Sequence, residues 1–153
     1  MNPTISVIPD FLRRVENPSD TTNQRKLLSA ADLSSLQKRN PGIPEDYLSF
    51  LTQIGWGSFR ESTYRVYSGF VLAEEILPGL KTEYEILCFG DDFGGDPAGF
   101  IPSQNWKLVE IFHEDFHIHC DEDQTFTEFI AERLFMSMDG HNLSQNPSSG
   151  NAE

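Results

Sequence analysis

Cys88-Phe89-Gly90-Asp91-Asp92-Phe93-Gly94-Gly95-Asp96-Pro97-Ala98-Gly99-Phe100-Ile101 is the stretch on which the reading of this chain turns. An apolar run enters it and an apolar run leaves it. It holds four glycines, three aspartates and one proline, with no lysine or arginine. Glycine tolerates backbone angles that other residues resist, so a sharp reversal is expected here, with the aspartates on an exposed connection between two strands. A phosphate-cradling loop is ruled out, because it needs a lysine followed by serine or threonine, and three carboxylates repel a phosphate. An EF-hand loop counted from Asp92 would need glutamate at Ser103, so that match fails as well.

Working outward, residues 83–89 alternate and then become fully apolar, as in a central strand. Gly99-Phe100-Ile101 starts the next strand, which Pro102 limits. Strands are expected at 64–67, ended by Gly69, and at 107–113 and 116–120. Short sequential strands with tight turns predict an antiparallel meander. Helices precede it. Residues 10–16 place Phe11, Leu12 and Val15 on one face behind an Asp10 N-cap. A second helix covers about 29–39, with Ser29 and Asp32 as a capping box. A third opens at Pro44, buries Tyr47, Leu48, Phe50, Leu51 and Ile54, and ends at Gly55. One helical turn is expected at 72–77. A last helix starts at Thr125, whose spacing to Glu128 fits a capping box, and Phe126, Phe129, Ile130, Leu134 and Met138 recur on its inner face. The fold class is therefore α+β: N-terminal helices, a mainly antiparallel sheet of about five or six strands, and a C-terminal helix packed on it. One domain is expected over 1–140 and a disordered tail over 141–153.

Three pieces together resemble the SUKH superfamily, which contains bacterial immunity proteins and fungal cell-wall-assembly regulators. The first is the central stretch, with its apolar strand, Gly90-Asp91-Asp92 and Gly94-Gly95-Asp96. The second is Ile43-Pro44-Glu45-Asp46-Tyr47-Leu48-Ser49-Phe50-Leu51 running into Gly55-Trp56-Gly57, similar to a Leu-Pro-x-x-Tyr-x-x-Phe-Leu helix and its glycine turn. The third is Phe126-Thr127-Glu128-Phe129-Ile130, similar to the closing helix. Order and spacing over residues 29–138 are the specific part. The resemblance implies a non-catalytic protein-binding domain, either an immunity protein that neutralises a cognate bacterial toxin or a regulatory module that binds a cellular partner. Small size without further domains favours the immunity role.

Composition narrows the partner. The 153 residues carry a formal net charge of −13. Residues 1–65 hold 8 basic and 7 acidic side chains, whereas residues 66–153 hold 3 and 17. Such a field disfavours nucleic acid and anionic membranes and favours a basic protein, a basic nuclease toxin fitting the immunity role. Two cysteines, Cys88 and Cys120, sit in apolar, strand-like surroundings and are expected as reduced thiols. Met1–Asp10 has neither a basic start nor a long apolar run, so no signal peptide is expected and the location is expected to be cytoplasmic.

Few residues suggest chemistry. No serine lies in a Gly-x-Ser-x-Gly elbow, and Cys88 in an apolar strand is expected to be inert. Asp91-Asp92 and Glu74-Glu75 are carboxylate neighbours in sequence, which does not make them an acid–base pair. His113, His117 and His119 are metal-ligand types. If Glu114-Asp115 is a two-residue turn, Phe112 opposes His117, Glu110 opposes His119, and His113 lies on the other face, so the three do not converge. Glu110 can then pair with a protonated His119. No enzyme activity, metal or cofactor is expected; a metal-dependent enzyme built on the histidine strand is the contrasting reading. What remains is a surface. Asp91, Asp92, Asp96, Glu110, Glu114 and Asp115 are expected to form an acidic rim, with Phe93, Pro97, Trp106 and Phe116 as apolar anchors.

Overall fold

The computed structural model describes residues 3–144. Among the described residues, five α-helices and seven strands make an α+β arrangement, and the strands form a single sheet in chain order, every neighbour antiparallel. Helix α1 (Pro3–Val15) and strand β1 (Arg25–Lys26) come first, followed by α2 (Ala30–Arg39) and α3 (Glu45–Gln53). The meander continues with β2 (Trp56–Phe59), β3 (Tyr64–Leu72), the one-turn α4 (Ala73–Ile76), β4 (Leu87–Asp91), β5 (Pro97–Ile101), β6 (Lys107–Phe112) and β7 (His117–His119), before α5 (Phe126–Arg133) closes the fold. The expected five or six strands become seven because two short ones, β1 and β2, extend the meander beyond β3.

Several boundaries move. The first helix begins at Pro3 rather than residue 10; Pro9 lies within it on the exposed side, while Ile5, Ile8, Phe11 and Leu12 recur on the buried side. Strand β3 does not stop at Gly69 but runs to Leu72, with a register shift between Val66 and Val71 that contains the glycine. The central strand starts at Leu87, not 83, and extends through Gly90 and Asp91. Pro44 is the N-cap of α3 rather than its first residue, and α5 ends at Arg133, which leaves Leu134 and Met138 beyond the helix. The capping boxes at Ser29 and Thr125 differ in extent: Ser29 accepts from Asp32 N, whereas Thr125 and Glu128 close both halves. Of the tail expected at 141–153, residues 141–144 are placed, with Met136 bridging Asn142; residues 145–153 lie outside the described part.

The sheet is apolar on both faces. One carries Tyr64, Val66, Phe89, Ala98, Phe100 and Leu108 and packs against α1, α2, α3 and α5. A ring cluster fills this layer: Phe126 of α5 lies 5.0 Å from Phe89, 5.2 Å from Tyr47 and 5.4 Å from Phe50, centroid to centroid. The other face carries Cys88, Ile101, Val109 and Ile111 and is covered by Ala73, Leu77 and Ile86 of the 73–86 segment, with Phe116 and Ile118 packed against it. Helices α1 and α5, the first and last of the described helices, share one core.

The glycines of the central stretch divide into two kinds. Gly95 takes φ +110° and makes the reversal. Gly90 lies in β4 with an ordinary φ, and its requirement is space: a Cβ there would sit 2.2 Å from the Arg65 carbonyl oxygen of β3. Gly94 has no such neighbour, its nearest being Asp92 Oδ1 at 3.4 Å. Gly90→Ala is therefore expected to destabilise the fold by about 1–3 kcal/mol through backbone displacement. Gly94→Ala is expected to stay within about 0.5 kcal/mol. Urea unfolding of both variants checks the contrast.

Candidate functional site

The β4–β5 connection and the β6–β7 turn meet at one end of the sheet. Asp96 joins them: its Oδ1 accepts from the His113 backbone amide at 2.9 Å and lies 2.6 Å from His113 Nδ1. The two loops thus share one side. The six carboxylates of the expected rim do not, however, share a role.

Asp91 and Glu110 are interior groups, each 6% exposed. Asp91 ends β4 and receives the Arg65 guanidinium at 2.9 Å, the Tyr67 hydroxyl at 2.6 Å and the Phe93 amide at 2.8 Å. Burial and then the bond to Asp91 push the Tyr67 phenol upward, so it remains a donor. Glu110 lies among Leu108, Val109 and Ile111 in β6 and holds Arg133 of α5 at 2.6 Å. Burial raises its pKa, with Arg133 opposing. The expected Glu110–His119 pair is replaced by this one; His119 instead approaches Asp121 at 3.3 Å. These two carboxylates tie strands and helix together and offer nothing to a partner.

Asp92 and Asp115 shape their own turns. Asp92 Oδ1 accepts from the amides of Gly94 and Asp96, and Asp115 Oδ1 accepts from His117 N. Glu114 and Asp115 are exposed, and Asp92 and Asp96 are partly so. Among the expected anchors, Phe93 is 39% exposed, with the Arg65 guanidinium 4.8 Å from its ring. Pro97 is buried. Trp106 packs into the helix-side core beside Phe70 and Phe100, and Phe116 packs against the second core. Both are half-buried, and Trp106 lies just before β6, at the far end of that strand from the β6–β7 turn. The rim at this end is therefore Asp92, Phe93, Asp96, Glu114 and Asp115.

The histidines follow the expected register, Phe112 opposite His117 and Glu110 opposite His119. The turn between them has four residues rather than two, with Phe116 at φ +61° and its amide bonded to Phe112 O. His117 and His119 stand 6.4 Å apart by ring centroids, and each stacks on Phe112. Among the described residues, no group of three or more His, Cys, Asp and Glu side chains is placed to hold a metal ion. Burial pushes the Cys88 thiol up to about 12, so it is no nucleophile at neutral pH; Cys120 is exposed and neither is in a disulfide.

The acidity of the chain's second half falls in turns and a helix rather than in strands: β4 to β7 carry Asp91 and Glu110, both buried, and Lys107. β1 to β3 carry Arg25, Lys26 and Arg65 and no acid. From Leu108 to Glu132 there are eight carboxylates and no lysine or arginine. Asp121, Glu122, Asp123, Glu128 and Glu132 belong to this run and were not singled out by the rim; the continuous absence of basic residues was the signal. Comparison of the chain with protein-family models, with curated proteins and with solved structures finds no match. The fold and the surface define an α+β meander with exposed acids on the β6–β7 turn, the 121–123 segment and α5. No helix among the described residues is long and apolar enough to cross a membrane.

The Asp96–His113 contact titrates. The hydrogen bond to Asp96 raises the His113 pKa above 6.5, with desolvation opposing. A raised folded-state pKa stabilises at pH below the unfolded value and loses that stabilisation as pH rises through the raised one. NMR titration is expected to place His113 above 6.5 and Asp96→Asn to return it toward that value. The stability difference between the two proteins should shrink as pH rises through this range, leaving the contribution of the amide bond.

Proposed function

We propose that this chain is a non-catalytic protein-binding domain that acts in the cytoplasm as an immunity protein, neutralising a basic bacterial toxin, a nuclease in the simplest case, by covering its active surface. The observation that carries the reading is an acidic run on the surface: the β6–β7 turn, the segment before α5 and α5 itself expose seven carboxylates, Glu114, Asp115, Asp121, Glu122, Asp123, Glu128 and Glu132, with no lysine or arginine between Leu108 and Glu132. The motif resemblance to the SUKH superfamily supports the toxin-binding role, and the unpaired cysteines accord with a reducing compartment. The acidic surface would steer a basic partner and reject acidic ones, while Phe93 at the loop tip supplies apolar contact.

The test is affinity capture from the native cell at low and high salt, with mass spectrometry of what is retained, followed by titration of the captured protein's activity. A single basic protein retained near stoichiometry, and inhibited by the purified chain, is the expected result. Capture of a housekeeping protein whose toxicity is nil would replace the immunity reading with the regulatory one. The combined change Asp92→Asn, Glu114→Gln and Asp115→Asn keeps the carbonyl acceptors of both turns while removing three charges. It is expected to slow association about tenfold and flatten its salt dependence with little effect on dissociation. Stopped-flow kinetics unchanged by the triple substitution would contradict the steering role.

A further inference from the structure

Five large apolar side chains are exposed among the described residues, and three of them, Phe135, Met138 and Leu143, fall in the short segment after α5. This segment is a fixed hairpin. Met136 is buried and bridges Asn142, Ser137 N bonds His141 O at 2.8 Å, and Leu143 N bonds Phe135 O at 2.7 Å. Arginines from elsewhere pin it: Arg14 donates to Gly140 O at 2.9 Å, and Arg60 donates to Leu134 O and Ser144 Oγ. The apolar side chains are thus held toward solvent by an ordered backbone, so a partner meets a surface already arranged and loses less entropy on binding.

Between the hairpin and α5 runs an open groove of about 470 Å³. Ala131, Met138 (46% exposed) and Leu143 (61% exposed) give it an apolar floor. Asp121, Glu122, Glu128 and Glu132 stand on its rim, and no lysine or arginine lines it. We propose that this groove is a docking site for a basic amphipathic segment of a partner protein, one leucine-sized side chain lying between Met138 and Leu143 and flanking lysines or arginines on the rim carboxylates. The apolar floor asks for an apolar side chain, and the four carboxylates require the flanking groups to be cationic. An acidic peptide, an anionic lipid surface and a second copy of this chain, with its net charge of −13, are all repelled. The proposal rests on the basic-partner reading above and adds a second, separate contact to it, away from the Asp92–Asp115 end of the sheet.

The experiment is fluorescence anisotropy on the full chain with a short labelled peptide whose lysines and leucines alternate at helical spacing, and with its counterpart carrying serine in place of every leucine. The lysine–leucine peptide is expected to bind and the lysine–serine peptide to bind about tenfold more weakly or worse. Leu143→Asp and Met138→Asp each add a negative charge, so binding by charge alone predicts tighter association; the groove predicts association about tenfold weaker. Thermal unfolding matched to the parent protein establishes that each variant is folded. Glu122→Lys with Glu132→Lys, both exposed positions, gives an independent loss of binding. The triple change at Asp92, Glu114 and Asp115 should leave peptide binding unaltered. Unchanged or tighter binding in the aspartate variants, equal binding of the serine peptide, or no binding of either peptide overturns the groove. If the groove variants lose the peptide while the capture experiment returns no basic toxin, the groove stands and the immunity reading falls.

Discussion

A single ring holds the layers of this protein together. Phe126, the first residue of α5, meets Phe89 of β4 edge-on at 5.0 Å, Tyr47 of α3 at 5.2 Å and Phe50 of α3 at 5.4 Å, and Phe100 of β5 tilts toward it at 6.4 Å. Each such pair contributes about 0.5–1.5 kcal/mol beyond the area it buries. The contact fixes where α5 enters, and the entry is reinforced by a polar link: Asp46 in the first turn of α3 accepts from Thr127 N and Thr127 Oγ1 at 2.9 and 2.8 Å. One carboxylate thus serves the N-terminal ends of two helices, where the exposed amides favour negative charge. Helix α5 in turn brings Arg133 to Glu110, and the chain leaving α5 forms the hairpin at 136–143. The position of the groove is a consequence of the ring.

Where local pattern and tertiary packing agree, the sequence is readable. The α3 stripe of Tyr47, Leu48, Phe50 and Leu51 is buried as its spacing requires, and the Thr125–Glu128 box closes both hydrogen bonds. The β6–β7 register matches the one expected from a turn centred on Glu114-Asp115, although the turn itself has four residues. The failures have physical causes. Pro9 hides the first half of α1, because a proline within a helix removes a donor and reads as a stop, yet here it is on the solvent side. Strand β1 has two residues and no pattern; Arg25 is placed by a bidentate pair with Glu16, the residue after α1, at 2.6 and 2.8 Å, and by the ring of Phe59 at 4.5 Å. No window of sequence contains that information.

The candidate surface was legible in its charge and illegible in its members. Asp91 and Asp92 are adjacent, but a strand turns successive side chains to opposite sides. Asp91 falls among Arg65, Tyr67 and the Phe93 amide, whereas Asp92 falls in the turn. A carboxylate inside a run as apolar as Leu108-Val109-Glu110-Ile111 signals a buried, paired acid rather than a surface one. Its partner, Arg133, is one of only three basic residues after position 65. Because that cation is committed to Glu110, the surface on this side is left with fewer positive charges to offset its acids.

Charge and apolar area have separate tasks in such a molecule, and the fold keeps them from competing. The exposed acids of the chain's second half lie in turns and in α5, not in the strands, whose carboxylates Asp91 and Glu110 are buried. Charge on that surface acts over roughly a Debye length, about 8 Å at physiological ionic strength, and so would orient a basic partner before contact. Orientation alone gives fast association and equally fast release, because exposed ion pairs are worth about 0–1 kcal/mol each. A lasting complex needs apolar side chains that are both exposed and fixed. Trp106 and Phe116 are half-buried against the cores, and among the described residues the large exposed apolar side chains of the acidic half are Phe93 on its turn and Phe135, Met138 and Leu143 after α5. A basic partner steered by this charge would meet apolar side chains at either place, and the interior carboxylates Asp91 and Glu110 hold the supports of those side chains without facing solvent.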